Sequence, residues 1–137
     1  MVENNFKIFL RIVGTVSFSA ILFIYVPHSW MNSIHEYLGM GILPSEPIVG
    51  YLARSTSAFY AFLGGLLWVC SFDIQRFHLV LHFVGYALIF FGLSIFVIDW
   101  VEGMPGFWIA IEGPADVTFG VLILIFTRRK RDDVKSS

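Results

Sequence analysis

Charge is scarce in this chain. Only 14% of its 137 residues are Asp, Glu, Lys or Arg, while 57% are hydrophobic. A soluble domain of this length carries about 25% charged residues, so a water-soluble globular protein is excluded and an integral membrane protein is indicated. The mean hydropathy of +0.77 agrees. Cysteine is scarcer still. A single thiol, Cys70, can form neither an internal disulfide nor a CxxC pair, which rules out the vitamin K epoxide reductase type of four-helix enzyme. Cys70 reads as a small apolar filler. A Gly-rich phosphate loop and a nucleophile elbow are both missing, and no polar stretch is long enough to form a separate catalytic domain. The first apolar run lacks a small-x-small cleavage site before Pro27, so it reads as a retained span. Any chemistry has to occur within the membrane-embedded part or through a partner.

What the chain does have is four long apolar runs, at about 6–26, 47–72, 77–100 and 107–127, each close to the roughly 20 residues that cross a bilayer as a helix. They predict an all-α membrane protein, a single domain over 1–137 folded as an up-down four-helix transmembrane bundle. The short link SFDIQRFH makes the second and third spans antiparallel neighbours. Between the first two spans lies the longest loop, HSWMNSIHEYLGMGILPSE. Within it Trp30, Met31, Ile34, Tyr37 and Leu38 fall on one helical face, with Asn32, Ser33 and Glu36 turned away. Residues 29–38 are therefore expected to form a short interfacial helix, with Trp30 and Tyr37 as anchors. Lys7 and Arg11 sit near the start of the first span, where they can snorkel to the head groups.

Orientation follows from the cations. Lys7, Arg11, Arg76, Arg128, Arg129, Lys130, Arg131 and Lys135 fall on one side, and only Arg54 on the other. The positive-inside rule then places both termini of the multi-pass chain in the cytoplasm. The run from Arg128 to Arg131 attracts anionic lipid. It is followed at once by Asp132 and Asp133, which argues against nucleic acid as a partner.

The fourth run, FWIAIEGPADVTFGVLILIFT, carries Glu112 and Asp116 about Gly113 and Pro114. A helix begun at Pro114 would leave about 14 residues before Arg128, roughly 21 Å of rise against a core of about 30 Å. The carboxylates therefore enter the membrane, where buried acids are costly and usually functional. Asp116 lies roughly 18 Å from the cationic end. Arg54 projects from the second span into a protein-facing ridge, and Asp99 ends the third. Arg54, Asp99, Glu112 and Asp116 are thus expected to form a buried polar cluster, since a lone arginine pairs well with a carboxylate. One arginine cannot neutralise all three acids. The surplus would be protonated, hydrated or paired with a cation. The alternative is a structural ion pair that fixes helix register.

Two other patterns are weaker. His78 and His82, one turn apart on the third span, share a face with Gly85, Ile89, Gly92 and Phe96. They could relay protons or ligate a haem, quinone or metal, but no further ligand lies at their depth, so no metal site and no catalytic residue is assigned. A cofactor is not expected. His28, His35 and Glu36 read as loop chemistry: the zinc-protease pattern would need a second histidine four residues on. On the second span Ala53, Ser57, Ala61 and Gly65 recur every four residues. Such a small-residue ridge admits a close helix, either from a second copy or from another membrane protein.

The runs PIVGYLARSTSAFYA and GMPGFWIAIEGP resemble those of small four-helix inner-membrane proteins of bacteria, and the plan is similar to that of the DoxX-like proteins, some of which belong to quinone-linked systems. The resemblance covers most of the chain. It implies architecture and location, and no activity. Three functions stay open: an accessory or structural membrane subunit, a small oligomeric proton- or cation-coupled carrier, and a quinone- or haem-linked electron-transfer subunit.

Overall fold

A computed structural model describes residues 2–135, with side chains described for 3–128. Expectations for the side chains of Arg129, Lys130, Arg131 and Lys135 fall outside that range. The element order is α1 (Val2–Phe18), a 3-10 segment (Ser19–Ile24), α2 (His28–Tyr37), α3 (Pro47–Phe72), α4 (His78–Val101) and α5 (Gly106–Lys135). Four helices, Glu3–Ile24, Pro47–Phe72, His78–Val101 and Gly106–Arg128, are long and apolar enough to cross a membrane. No strand occurs among the described residues. The chain is a multi-pass all-α membrane protein, as its composition requires. It divides into two compact units, one spanning Lys7–Phe72 and the other joining the first six residues to the chain from Asp73 onward.

In the first unit the opening span is not a uniform α-helix. Thr15 Oγ1 donates to the Arg11 carbonyl at 2.7 Å and Ser19 Oγ to that of Val16 at 2.7 Å. Such back-bonding competes with the helical ladder, and beyond Phe18 the chain tightens into the 3-10 segment. The span meets α3 through two glycines. A Cβ on Gly64 would strike the Phe18 amide nitrogen and lie 2.5 Å from the Gly14 carbonyl, so the two backbones touch there. Small residues permit that approach, and dispersion between close-packed helices sustains it.

The interfacial helix forms one residue earlier than expected, with Pro27 as its N-cap. Its polar face holds the loop that follows. His28 Nε2 bonds the Pro44 carbonyl at 3.1 Å, Asn32 Oδ1 accepts from the Leu43 amide at 2.7 Å, and His35 Nδ1 bonds the Gly41 carbonyl at 2.9 Å. These three residues lie at i, i+4 and i+7, one face of a helix. Gly39 and Gly41, with φ of 74° and 81°, make the reversal that brings the loop back. Met31 is buried while Trp30 and Tyr37 stay exposed, as anchors require.

The second unit is an antiparallel hairpin of α4 and α5 built on a seven-residue repeat. Leu81, Leu88, Gly85, Gly92 and Asp99 are buried on α4, and Gly113, Gly120, Ile123, Leu124 and Thr127 on α5. A Cβ on Gly92 would lie 2.5 Å from the Gly113 carbonyl, and one on Gly120 would lie 2.5 Å from the Gly85 carbonyl. Gly92 therefore opposes Gly113 and Gly85 opposes Gly120. The pairs sit two turns apart, which is the spacing of a heptad seam. α5 runs unbroken through Pro114, and Thr118 Oγ1 donates to the Pro114 carbonyl at 2.7 Å. Phe6 is buried in this unit and stacks on Phe126 with ring centroids 5.0 Å apart.

Candidate functional site

Arg54 is the residue whose surroundings differ most from expectation. Its Nε donates to the Ile24 carbonyl at 3.0 Å, Nη2 to that of Val26 at 3.2 Å, and Nη1 to that of Gly50 at 3.5 Å. None of these three partners is a carboxylate. A helix ends with carbonyls that have no intrahelical donor, and in hydrocarbon water cannot supply one. The guanidinium supplies it, adding a positive charge at the negative end of the helix dipole. Gly50 makes the space: a Cβ there would lie 2.9 Å from Nη1. Arg54 is thus the C-terminal cap of the first span, delivered from the second. The tightening at Ser19–Ile24 and the Pro27 that follows are the sequence signals for such an end, but neither points to Arg54.

The carboxylates lie on the hairpin. The seam register places Asp116 beside Gly92, whose added Cβ would come within 2.9 Å of Asp116 Cβ. Glu112 lies one turn away on the same helix, and both residues are half-buried. Asp99 is 6% exposed. The same register puts it level with Gly106, about 10 Å along α4 from the Gly92 that Asp116 adjoins. The structure therefore brings Glu112 and Asp116 together but separates Asp99 from them, because it lies seven residues beyond Gly92. The Oδ2 atoms of Asp99 and Asp116 are buried and have no hydrogen-bond partner among the described residues. Leaving a polar atom so costs about 1–3 kcal/mol.

The histidines of α4 bond nearby backbone, one in the preceding turn and one in the helix itself. His78 Nδ1 bonds the Gln75 carbonyl at 3.2 Å and His82 Nδ1 the His78 carbonyl at 2.9 Å. The rings meet edge to face at 6.1 Å. His78 is exposed and His82 half-buried, while Gly85 and Gly92 of the same face are buried. Among the described residues no three of His, Cys, Asp or Glu come together to hold a metal.

On α3 the small-residue ridge is partly used. Ser57 Oγ donates to the Ala53 carbonyl at 2.8 Å, and Ala61 is buried. Ala61 and Gly65, with Ala58, Phe62, Leu66 and Val69, line an apolar groove of about 550 Å³ whose other wall is Phe18, Ile21 and Ile24. Sequence reasoning missed a second arginine site. Arg11 Nε donates to Ser71 Oγ at 3.2 Å, and Cζ lies 5.3 Å from the Trp68 ring centroid and 5.6 Å from that of Phe72. Trp68 is held in turn by Nε1, which donates to Thr15 Oγ1 at 3.1 Å.

The fold and these sites define a multi-pass helical membrane protein in which Arg54 serves a helix end and Arg11 a helix contact. No protein-family model, no curated protein and no solved structure matches the chain.

Proposed function

We propose that the chain is a non-enzymatic accessory or structural subunit of a bacterial inner-membrane assembly, with both termini cytoplasmic. The observation that carries this is the apolar groove along Ala58, Ala61 and Gly65. Small side chains at its floor let apolar groups of a partner helix approach the backbone of α3, the mode by which helices associate in lipid. The polar residues add support from the other direction. Arg54, His78 and His82 are bonded to backbone carbonyls, so their hydrogen bonds go to building helices. The lysine and arginine asymmetry supports the orientation.

The test is Gly65→Leu. A Cβ at Gly65 has its nearest neighbour at 3.9 Å, an ordinary contact with the Phe18 ring, so a side chain there enters the groove without meeting backbone at its first atom. Native mass spectrometry of the protein extracted gently from its own membrane should show a stoichiometric membrane-protein partner for wild type, lost in Gly65→Leu. Wild type recovered as a bare subunit would sink the proposal.

A second reading, a small proton- or cation-coupled carrier, draws on the buried Asp116 Oδ2 that has no partner among the described residues. An intramembrane carboxylate with spare hydrogen-bonding capacity can bind and release a proton or cation. In proteoliposomes Asp116→Asn should then abolish pH-dependent flux. Equal flux from wild type and variant, or none from wild type, excludes the carrier.

A further inference from the structure

We infer that Arg11 and the stripe of the first span beside it form a binding site for an anionic phospholipid of the leaflet on the side of the termini. Arg11 spends only Nε on protein, in the bond to Ser71 Oγ. Its Nη1 and Nη2 make no hydrogen bond to another described residue, and the four N–H groups they carry form the planar fork that suits a phosphate. Trp68 and Phe72 fix the plane of that fork from the neighbouring helix. Trp68 is itself anchored on Thr15, so the guanidinium is presented in one orientation rather than left to sweep the surface.

Depth and shape agree with this. Phe72 is the last residue of α3 and Asp73 begins the turn, so the guanidinium lies where hydrocarbon gives way to head groups. From there Ile8, Arg11, Ile12, Thr15 and Val16 line an open groove of about 340 Å³ along the first span. Ile8 to Val16 covers about 12 Å of rise, most of the roughly 15 Å depth of one leaflet. Ile12 and Val16 are 59% and 69% exposed, apolar surface on which an acyl chain can lie while its phosphate sits at Arg11. Charge complements charge, since a basic pocket between helices at this face selects anionic head groups. The planar guanidinium fork separates such a site from a general attraction to surface charge.

The experiment is lipid retention by the full-length protein, purified in detergent and exchanged against defined phosphatidylglycerol or phosphatidylcholine, then read by native mass spectrometry. Wild type should retain one phosphatidylglycerol per chain in preference to phosphatidylcholine. Arg76→Gln removes the same charge from the adjoining turn and measures the non-specific attraction, about fivefold or less. Arg11→Gln should reduce retention well beyond that, by about tenfold or more. Equal retention of the two lipids by wild type overturns the site without recourse to any variant. Equal losses in Arg11→Gln and Arg76→Gln overturn it too, because they leave only surface charge.

Discussion

Replacing Gly92 with Ala should part the α4–α5 hairpin. The new Cβ would lie 2.5 Å from the Gly113 carbonyl oxygen, 2.8 Å from the Val117 nitrogen and 2.9 Å from Asp116 Cβ. Two of these atoms are backbone, so no side-chain rotation relieves them. Ordinary contact begins near 3.4 Å, which requires the helices to separate by about 0.9 Å, a gap that forfeits a quarter to a half of each close contact. The buried seam residues Leu81, Val84, Leu88, Ile123 and Leu124 would all feel it. Overpacking of this kind costs about 1–3 kcal/mol, against a helix-propensity gain of at most about 1 kcal/mol for Gly to Ala. A net destabilisation of about 1–2 kcal/mol is expected. Gly113→Ala meets the same space, its Cβ lying 2.6 Å from the Gly92 carbonyl. The double variant should therefore cost little more than either single one, because the helices need to part only once. Unfolding in mixed micelles can be followed by tryptophan fluorescence, with Trp100 on α4 and Trp108 on α5. Gly106→Ala is the control, since nothing lies within 4 Å of its added Cβ. Equal stability of Gly92→Ala and Gly106→Ala, or additive losses in the double variant, would refute the seam.

Arg54→Ala should lower thermal stability and abundance, each carbonyl it strands at the end of the first span costing about 1–3 kcal/mol. Arg54→Lys should recover only part, since an ammonium cannot reproduce the planar fork that bonds Ile24, Val26 and Gly50. Neutral behaviour of Arg54→Ala in a thermal-shift assay would remove its capping role. Asp116→Asn should leave the melting temperature unchanged or raise it, because a neutral amide is cheaper to bury than a carboxylate whose Oδ2 has no partner among the described residues. A loss above about 2 kcal/mol would show that the carboxylate is engaged. A stable variant makes the flux comparison interpretable.

Hydropathy alone located the spans, because nothing but a bilayer tolerates four runs of this kind. The second span falls at Pro47–Phe72 and the third at His78–Val101, within a residue or two of the apolar runs. The fourth helix continues past Thr127 to Lys135, since charge ends a membrane crossing without ending a helix. The first span hides its change to 3-10 geometry, which depends on where Thr15 and Ser19 send their hydroxyls. Facing was harder to read than span. At 100° per residue, His78 and His82 share a side with Gly85. The seam follows a repeat of seven, visible in Gly113 and Gly120 and in Gly85 and Gly92. His78 lies one repeat before Gly85, yet as the first residue of α4 it is exposed, while His82 is half-buried.

The polar sites show why an ionisable residue in an apolar run is an ambiguous sign. Charge matching along the sequence points Arg54 to a carboxylate, because side chains are the only partners a list of residues displays. The backbone is the larger reservoir of acceptors, and within a membrane it is the one whose orphan groups water cannot reach. Arg54, one helix away from a tightened, proline-terminated end, is bonded to those carbonyls. Arg54 and Arg11 occupy opposite ends of the same helix pair and divide on this point. Arg54 gives Nε, Nη1 and Nη2 to backbone carbonyls, while Arg11 gives Nε alone and is held by aromatic faces. Structural need engages all three nitrogens of the first guanidinium and only one of the second. What remains at Arg11 is an oriented cation with four donors that no described residue takes up, beside an open apolar groove, an arrangement that packing of the first unit does not require and that an anionic lipid completes.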